Sequence, residues 1–151
     1  MADIIEYSEK YLDDFRRLNL EWLEKYGLAE QHDFEVLDNP HATILDGGGY
    51  LYLARENGII IGSAALVNEH DGVYELAKMA VDTAFRGKGI GKMLMEHCLQ
   101  KAKEIKARKI FLYSNSQLAT AINMYEKYGF VHIPVIDSPF VTADIKMELS
   151  L

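Results

Sequence analysis

Apolar and polar positions along the chain follow two alternating periods. Tyr11, Phe15, Leu18, Trp22 and Tyr26 recur at helical spacing, with Ser8 placed as an N-cap and Gly27 as a stop. Residues 4–7 read as a short strand before them. A weaker helical stretch over residues 30–45 is interrupted near Pro40. The period then shortens: residues 50–56 and 59–67 flank Asn57-Gly58, a strong hairpin signal, and a turn over residues 69–72 leads into a third strand at 73–81. Residues 89–106 return to helical spacing, with Ile90, Leu94, Cys98 and Ile105 on or near one face. A short buried-type strand at 109–113, a helix at 117–128 ended by Gly129, and strands at 131–136 and 143–149 complete the pattern. The predicted order is β-α-α-β-β-β-α-β-α-β-β. It describes an α/β (α+β) fold with a mixed, mostly antiparallel central sheet and helices on both faces.

Composition narrows this picture. The 151 residues are 49% hydrophobic and 26% charged, without repeats or low-complexity tracts, so residues 1–151 are expected to form a single domain with its own core. A net charge of −7 argues against non-specific nucleic-acid binding. The lone cysteine, Cys98, cannot form an intramolecular disulfide, and the acidic N-terminus lacks a basic-then-apolar leader pattern. The longest apolar run, residues 59–67, is too short to span a bilayer, so the expected location is cytoplasmic, with no membrane partner. The charge is unevenly spread. Residues 86–109 hold eight basic and two acidic residues, a local +6 that leaves −13 for the remainder. The basic part suits a phosphate-rich ligand, whereas the acidic remainder favours cationic amines as a second ligand.

The basic part begins at a turn suited to an anion. The strand ending Met79-Ala80-Val81 runs through Arg86-Gly87-Lys88-Gly89-Ile90-Gly91-Lys92 into a helix. Free N–H groups at a helix start, the helix dipole and close approach at glycine make such a turn a phosphate cradle, to which Arg86, Lys88 and Lys92 add charge. A Walker A loop is excluded, because Arg86 occupies its first glycine position and Met93 its Ser/Thr position. A dinucleotide G-x-G-x-x-G also fails, since Lys92 or Leu94 falls where the third glycine belongs.

The pattern Arg-x-x-Gly-x-Gly over residues 86–91 resembles the acetyl-CoA motif of the GNAT superfamily of N-acetyltransferases. The segment Ala121-Ile122-Asn123-Met124-Tyr125-Glu126-Lys127-Tyr128-Gly129-Phe130 resembles that family's second motif, a helix ending in Tyr-x-x-x-Gly-Phe. The resemblance implies that backbone groups of Met79, Ala80 and Val81 hold the acetyl carbonyl and pantetheine arm. Residues 87–92 (Gly87, Lys88, Gly89, Ile90, Gly91 and Lys92), with Arg86, would hold the pyrophosphate. Tyr125 would protonate the departing thiolate. Many members carry Asn seven residues before the helix tyrosine; here Leu118 stands there, and Asn115 is the candidate substitute. Glu75 precedes Met79 by four residues, on the same face by the two-residue period, and a family glutamate in the corresponding place is a general base. The implied activity is direct transfer from acetyl-CoA to a primary amine of a small molecule or peptide in a ternary complex. The late strands are candidates for pairing two copies into a homodimer.

Plainer readings stand beside these. The glycine run also fits a tight turn and cap, Tyr125 a core aromatic, and Glu75 a solvated or ion-paired edge residue. Cys98 reads as a small buried hydrophobe, and the scattered histidines lack metal-ligand spacing, so no metal is expected. Gly47-Gly48-Gly49 reads as a flexible connection rather than a second phosphate loop. Trp22, Tyr26 and Phe140 fit either the core or an acceptor wall. The alternatives to an enzyme are a non-catalytic acyl-CoA-binding or sensing module, or a nucleotide-phosphate binder of another fold.

Overall fold

The computed structural model describes residues 1–151. Its strands are β1 (Asp3–Glu6), β2 (Tyr50–Glu56), β3 (Ile59–Asn68), β4 (Val73–Val81), β5 (Lys109–Ser114), β6 (Val131–Ile133) and β7 (Ile145–Ser150). Its α-helices are α1 (Leu12–Lys25), α2 (Gln31–Asp38), α3 (Ile90–Glu104) and α4 (Ala119–Lys127). The strands form one sheet in the order β1-β2-β3-β4-β5-β7-β6. Every neighbouring pair is antiparallel except β4 and β5, which α3 connects as a parallel crossover. The element order and mixed sheet match the sequence pattern.

Two apolar clusters sandwich the sheet. On one face Leu94, Met95 and Cys98 of α3 pack on Leu76, Ile110 and Met147. On the other, Phe15 and Leu18 of α1 and Leu37 of α2 pack on Leu51, Leu53 and Ala65. Cys98 is fully buried, and that burial pushes its thiol up to about 12, as a small core hydrophobe requires.

Local chemistry explains where boundaries depart from the pattern. A 3-10 turn, Glu9–Tyr11, separates Ser8 from α1, and the Ser8 side chain makes no capping bond. α2 stops at Asp38 ahead of Pro40, after which His41–Leu45 winds as a π-helical turn. β6 ends three residues early because Pro134 offers no N–H to the ladder. The glycine triplet is not uniformly a flexible connection. Gly49 is buried, and a Cβ there would lie 2.5 Å from the Leu66 carbonyl oxygen and 2.6 Å from that of Ile44. Its lack of a side chain lets the turn close onto β3.

Candidate active site

Two irregularities of β4 create the site. The first is its short pairing with β5, which covers only Val73, Tyr74 and Glu75 against Lys109, Ile110 and Phe111. Beyond Glu75 the two strands part, and the edge of β4 toward β5 is left without a strand partner. The second is a bulge. Ser63 and Ala65 of β3 face Ala80 and Ala77, so β4 spends one residue more than β3 over this interval. Lys78 takes up the excess with φ +51°, a left-handed conformation that costs a non-glycine residue about 1–3 kcal/mol. Ser63 Oγ secures the bulge by donating to the Lys78 carbonyl at 2.7 Å, and Asn19 Nδ2 of α1 donates to Ser63 Oγ at 3.1 Å. All three residues are buried.

The bulge overturns one expectation. Glu75 and Met79 do not share a face. Glu75 pairs with Val67, which packs on the α1/α2 core, whereas Met79 packs on the α3 core. The two-residue period is reset by the extra residue between them. Both side chains nonetheless line a single cavity of about 750 Å³, because the parting of β4 and β5 joins the two faces.

On the α3 side, Gly87 (φ +77°) and Gly89 (φ +80°) shape the turn, and Gly89 is the N-cap of α3. The first helical bond from this cap is Met93 N–H to the Gly89 carbonyl, so the N–H groups of residues 90–92 have no intrahelical acceptor. They meet Arg86 and Lys92 at the same cavity wall. Lys88 is the exception among the expected site residues: it lies outside the lining, with Nζ 5.2 Å from the Phe85 ring centroid. Tyr125 is buried on this side, its ring centroid 6.0 Å from that of Phe130, and burial pushes its phenol up to about 12. Asn115 reaches the lining, but its amide is engaged locally. Its Nδ2 donates to the Thr142 carbonyl at 2.8 Å and its Oδ1 accepts from Gln117 N–H at 3.0 Å.

On the α1/α2 side, Trp22, Tyr26 and Phe140 join the wall, together with Glu75 and Tyr113. Burial and the nearby Glu69 raise the Glu75 carboxyl to about 7 against the opposing pull of Lys78 and Lys146. Two charged residues here have no counterpart in the sequence motifs. Lys78 Nζ forms a buried ion pair with Asp33 Oδ1, and Asp33 Oδ2 accepts from Glu30 N–H at 2.9 Å at the start of α2. The available signal was a single lysine inside the otherwise apolar run Leu76-Ala77-Lys78-Met79-Ala80. Glu30 also accepts from the N–H groups of Val141 and Thr142, both at 2.8 Å, which ties the segment after Phe140 to α2.

An unpaired strand edge, a helix start with free N–H groups and two cations, and a phenol lie along one continuous cavity. The sequence profile of the acetyltransferase (GNAT) family matches residues 9–130. The chain belongs to this family. N-acetylaspartate synthetase of Xenopus tropicalis is 36% identical over 95 residues, covering 62% of this chain and 35% of that protein. The chain thus aligns with about a third of the length of that relative. A GNAT-family acetyltransferase of Staphylococcus aureus superposes with a TM-score of 0.91 at 25% identity, covering 99% of both chains. The PaiA N-acetyltransferase of Thermoplasma acidophilum, solved in complex with coenzyme A, shares the fold with a TM-score of 0.79 at 19% identity over 100% of this chain and 99% of that one. No helix of this GNAT chain is long and apolar enough to cross a membrane.

Proposed function

We propose that residues 1–151 act as one N-acetyltransferase domain that moves the acetyl group of acetyl-CoA to a primary amine by direct attack in a ternary complex. The observation that carries this reading is the opening between β4 and β5. It joins a helix start with free N–H groups and Tyr125 on one face of the sheet to Glu75 on the other. The donor enters from the α3 side. Its pyrophosphate meets the N–H groups of residues 90–92 with Arg86 and Lys92, and its pantetheine arm runs along the unpaired edge of β4 at residues 79–81.

The amine approaches from the α1/α2 side. Glu75, with a pKa of about 7, removes a proton from the ammonium form at neutral pH. The free amine attacks the thioester carbonyl and the carbon–sulfur bond breaks, leaving an amide and a thiolate. The second proton lost by the nitrogen balances the proton gained by the sulfur. With its own pKa near 12, Tyr125 is protonated at neutral pH and donates a hydrogen bond to the developing thiolate. A thiol of ordinary pKa, about 8.5, is the stronger acid, so a lasting phenolate is unfavourable and Tyr125 relays a proton rather than losing one.

The test is thiol release from acetyl-CoA across a panel of amines, with mass spectrometry of the amide product. Stoichiometric amide and free CoA are expected. Tight acetyl-CoA binding without turnover on any amine would support the sensing-module alternative. One relative is named for an N-acetylated amino acid, which supports a small amine as the acceptor.

A further inference from the structure

The α1/α2 half of the cavity carries hydrogen-bond donors that the chain leaves unused. Lys78 is 9% exposed and its ammonium has three N–H bonds. Asp33 accepts one, and Phe140 presents its ring face with the centroid 5.4 Å from Nζ. The other two N–H bonds have no acceptor in the chain. Trp22 lines the same wall, but its indole N–H has no accessible surface there. A buried ammonium with two N–H bonds lacking acceptors is a departure that asks for a ligand.

The Lys78 ammonium is held in place from both ends. Asp33 is fixed by the Glu30 N–H at the start of α2, and the Lys78 backbone is fixed by the Ser63 hydroxyl at the bulge. A carboxylate accepts strong hydrogen bonds from ammonium N–H groups such as the two that Asp33 leaves free. Glu75 lines the same cavity as Lys78.

We infer that Lys78, positioned by Asp33, receives a carboxylate of the acceptor, so that the preferred acceptor is a small amino acid rather than a simple amine. The amino group then faces Glu75 and the thioester, and the carboxylate faces Lys78. This inference rests on the acetyl-transfer reading and specifies its second substrate. It runs against the cationic acceptors suggested by the −13 charge of the chain outside residues 86–109. Local donors, rather than the overall surface charge, set the preference.

The test compares free leucine and aspartate with leucinamide and aspartate diamide, which keep the amine and lose the carboxylate charge. For the wild type, kcat/KM is expected to be at least tenfold higher for the acids. Lys78→Met removes the cation but leaves Asp33 buried alone, so the double variant Lys78→Met/Asp33→Asn is the informative one. In a folded double variant the acid-to-amide ratio is expected to fall at least tenfold, mainly through KM for the acids. Lys78→Arg is expected to restore part of that ratio. A wild type that acetylates amides as readily as acids would overturn the inference while leaving the transferase reading intact. So would a double variant that keeps the preference, showing the ion pair to be structural only. Failure to acetylate any amine would instead remove the reading beneath both.

Discussion

Tyr125 and Glu75 stand on opposite faces of the sheet, and their environments push both proton affinities upward for the same reason, burial. The consequences differ. A phenol that stays protonated is a good hydrogen-bond donor to sulfur, so Tyr125→Phe should lower kcat by about 10²–10⁴, with the acetyl-CoA Kd nearly unchanged. Single-turnover kinetics and equilibrium binding would read the two effects separately; an unchanged kcat removes Tyr125 from the chemistry. A carboxyl of pKa about 7 is half ionised near neutrality, so kcat/KM should rise with pH up to about 7 and then level. Glu75→Gln should lose that limb of the profile together with most of the rate. The same group affects stability. From pH 4.5 to about 7 the folded protein keeps a proton that the unfolded chain has released, so this group's effect is to lower stability as pH rises through that window. Urea unfolding at several pH values should show a weaker decline in the Glu75→Gln variant.

The elements themselves divide into those with local signals and those set by neighbours. Asn57-Gly58 announced the β2–β3 hairpin, and the glycines at 87 and 89 announced the start of α3, because each needs a backbone conformation few residues allow. The glycine turn that opens α3 was therefore legible in the sequence. The bulge was not. It depends on Ser63 and Asn19 reaching the Lys78 carbonyl from two other elements, and a two-residue period offers no warning of an inserted residue. For the same reason the Lys78–Asp33 pair escaped notice: its members lie 45 residues apart and meet only after α2 docks. Gly49 shows the converse error, a residue whose composition suggests looseness but which sits where two carbonyl oxygens leave no space. Gly49→Ala should cost roughly 1–3 kcal/mol, since neither the π-helical turn nor β3 can move without disturbing packing. At about 2–4 °C per kcal/mol, thermal unfolding would register the loss clearly; a Tm within one degree of wild type would mean that the turn yields.

For the molecule as a whole, the cavity runs between two cores that share only the sheet, so filling it should link them. Acetyl-CoA at a hundred times its Kd is expected to stabilise the fold by about 2.7 kcal/mol, a Tm rise of about 5–11 °C. Comparison with ATP and NAD in the same thermal-shift experiment checks selectivity; an equal rise with either would point to a general phosphate site. One further property follows from the inserted residue in β4. Glu75, Ala77 and Lys78 face one half of the cavity while Met79 and Val81 face the other, although the run spans only seven residues. Substitutions at 77 and 78 are therefore expected to reshape the α1/α2 half of the cavity while leaving the α3 half untouched. A library confined to positions 77 and 78, with Glu75 kept as the base of the proposed reaction, varies the amine half of the cavity alone.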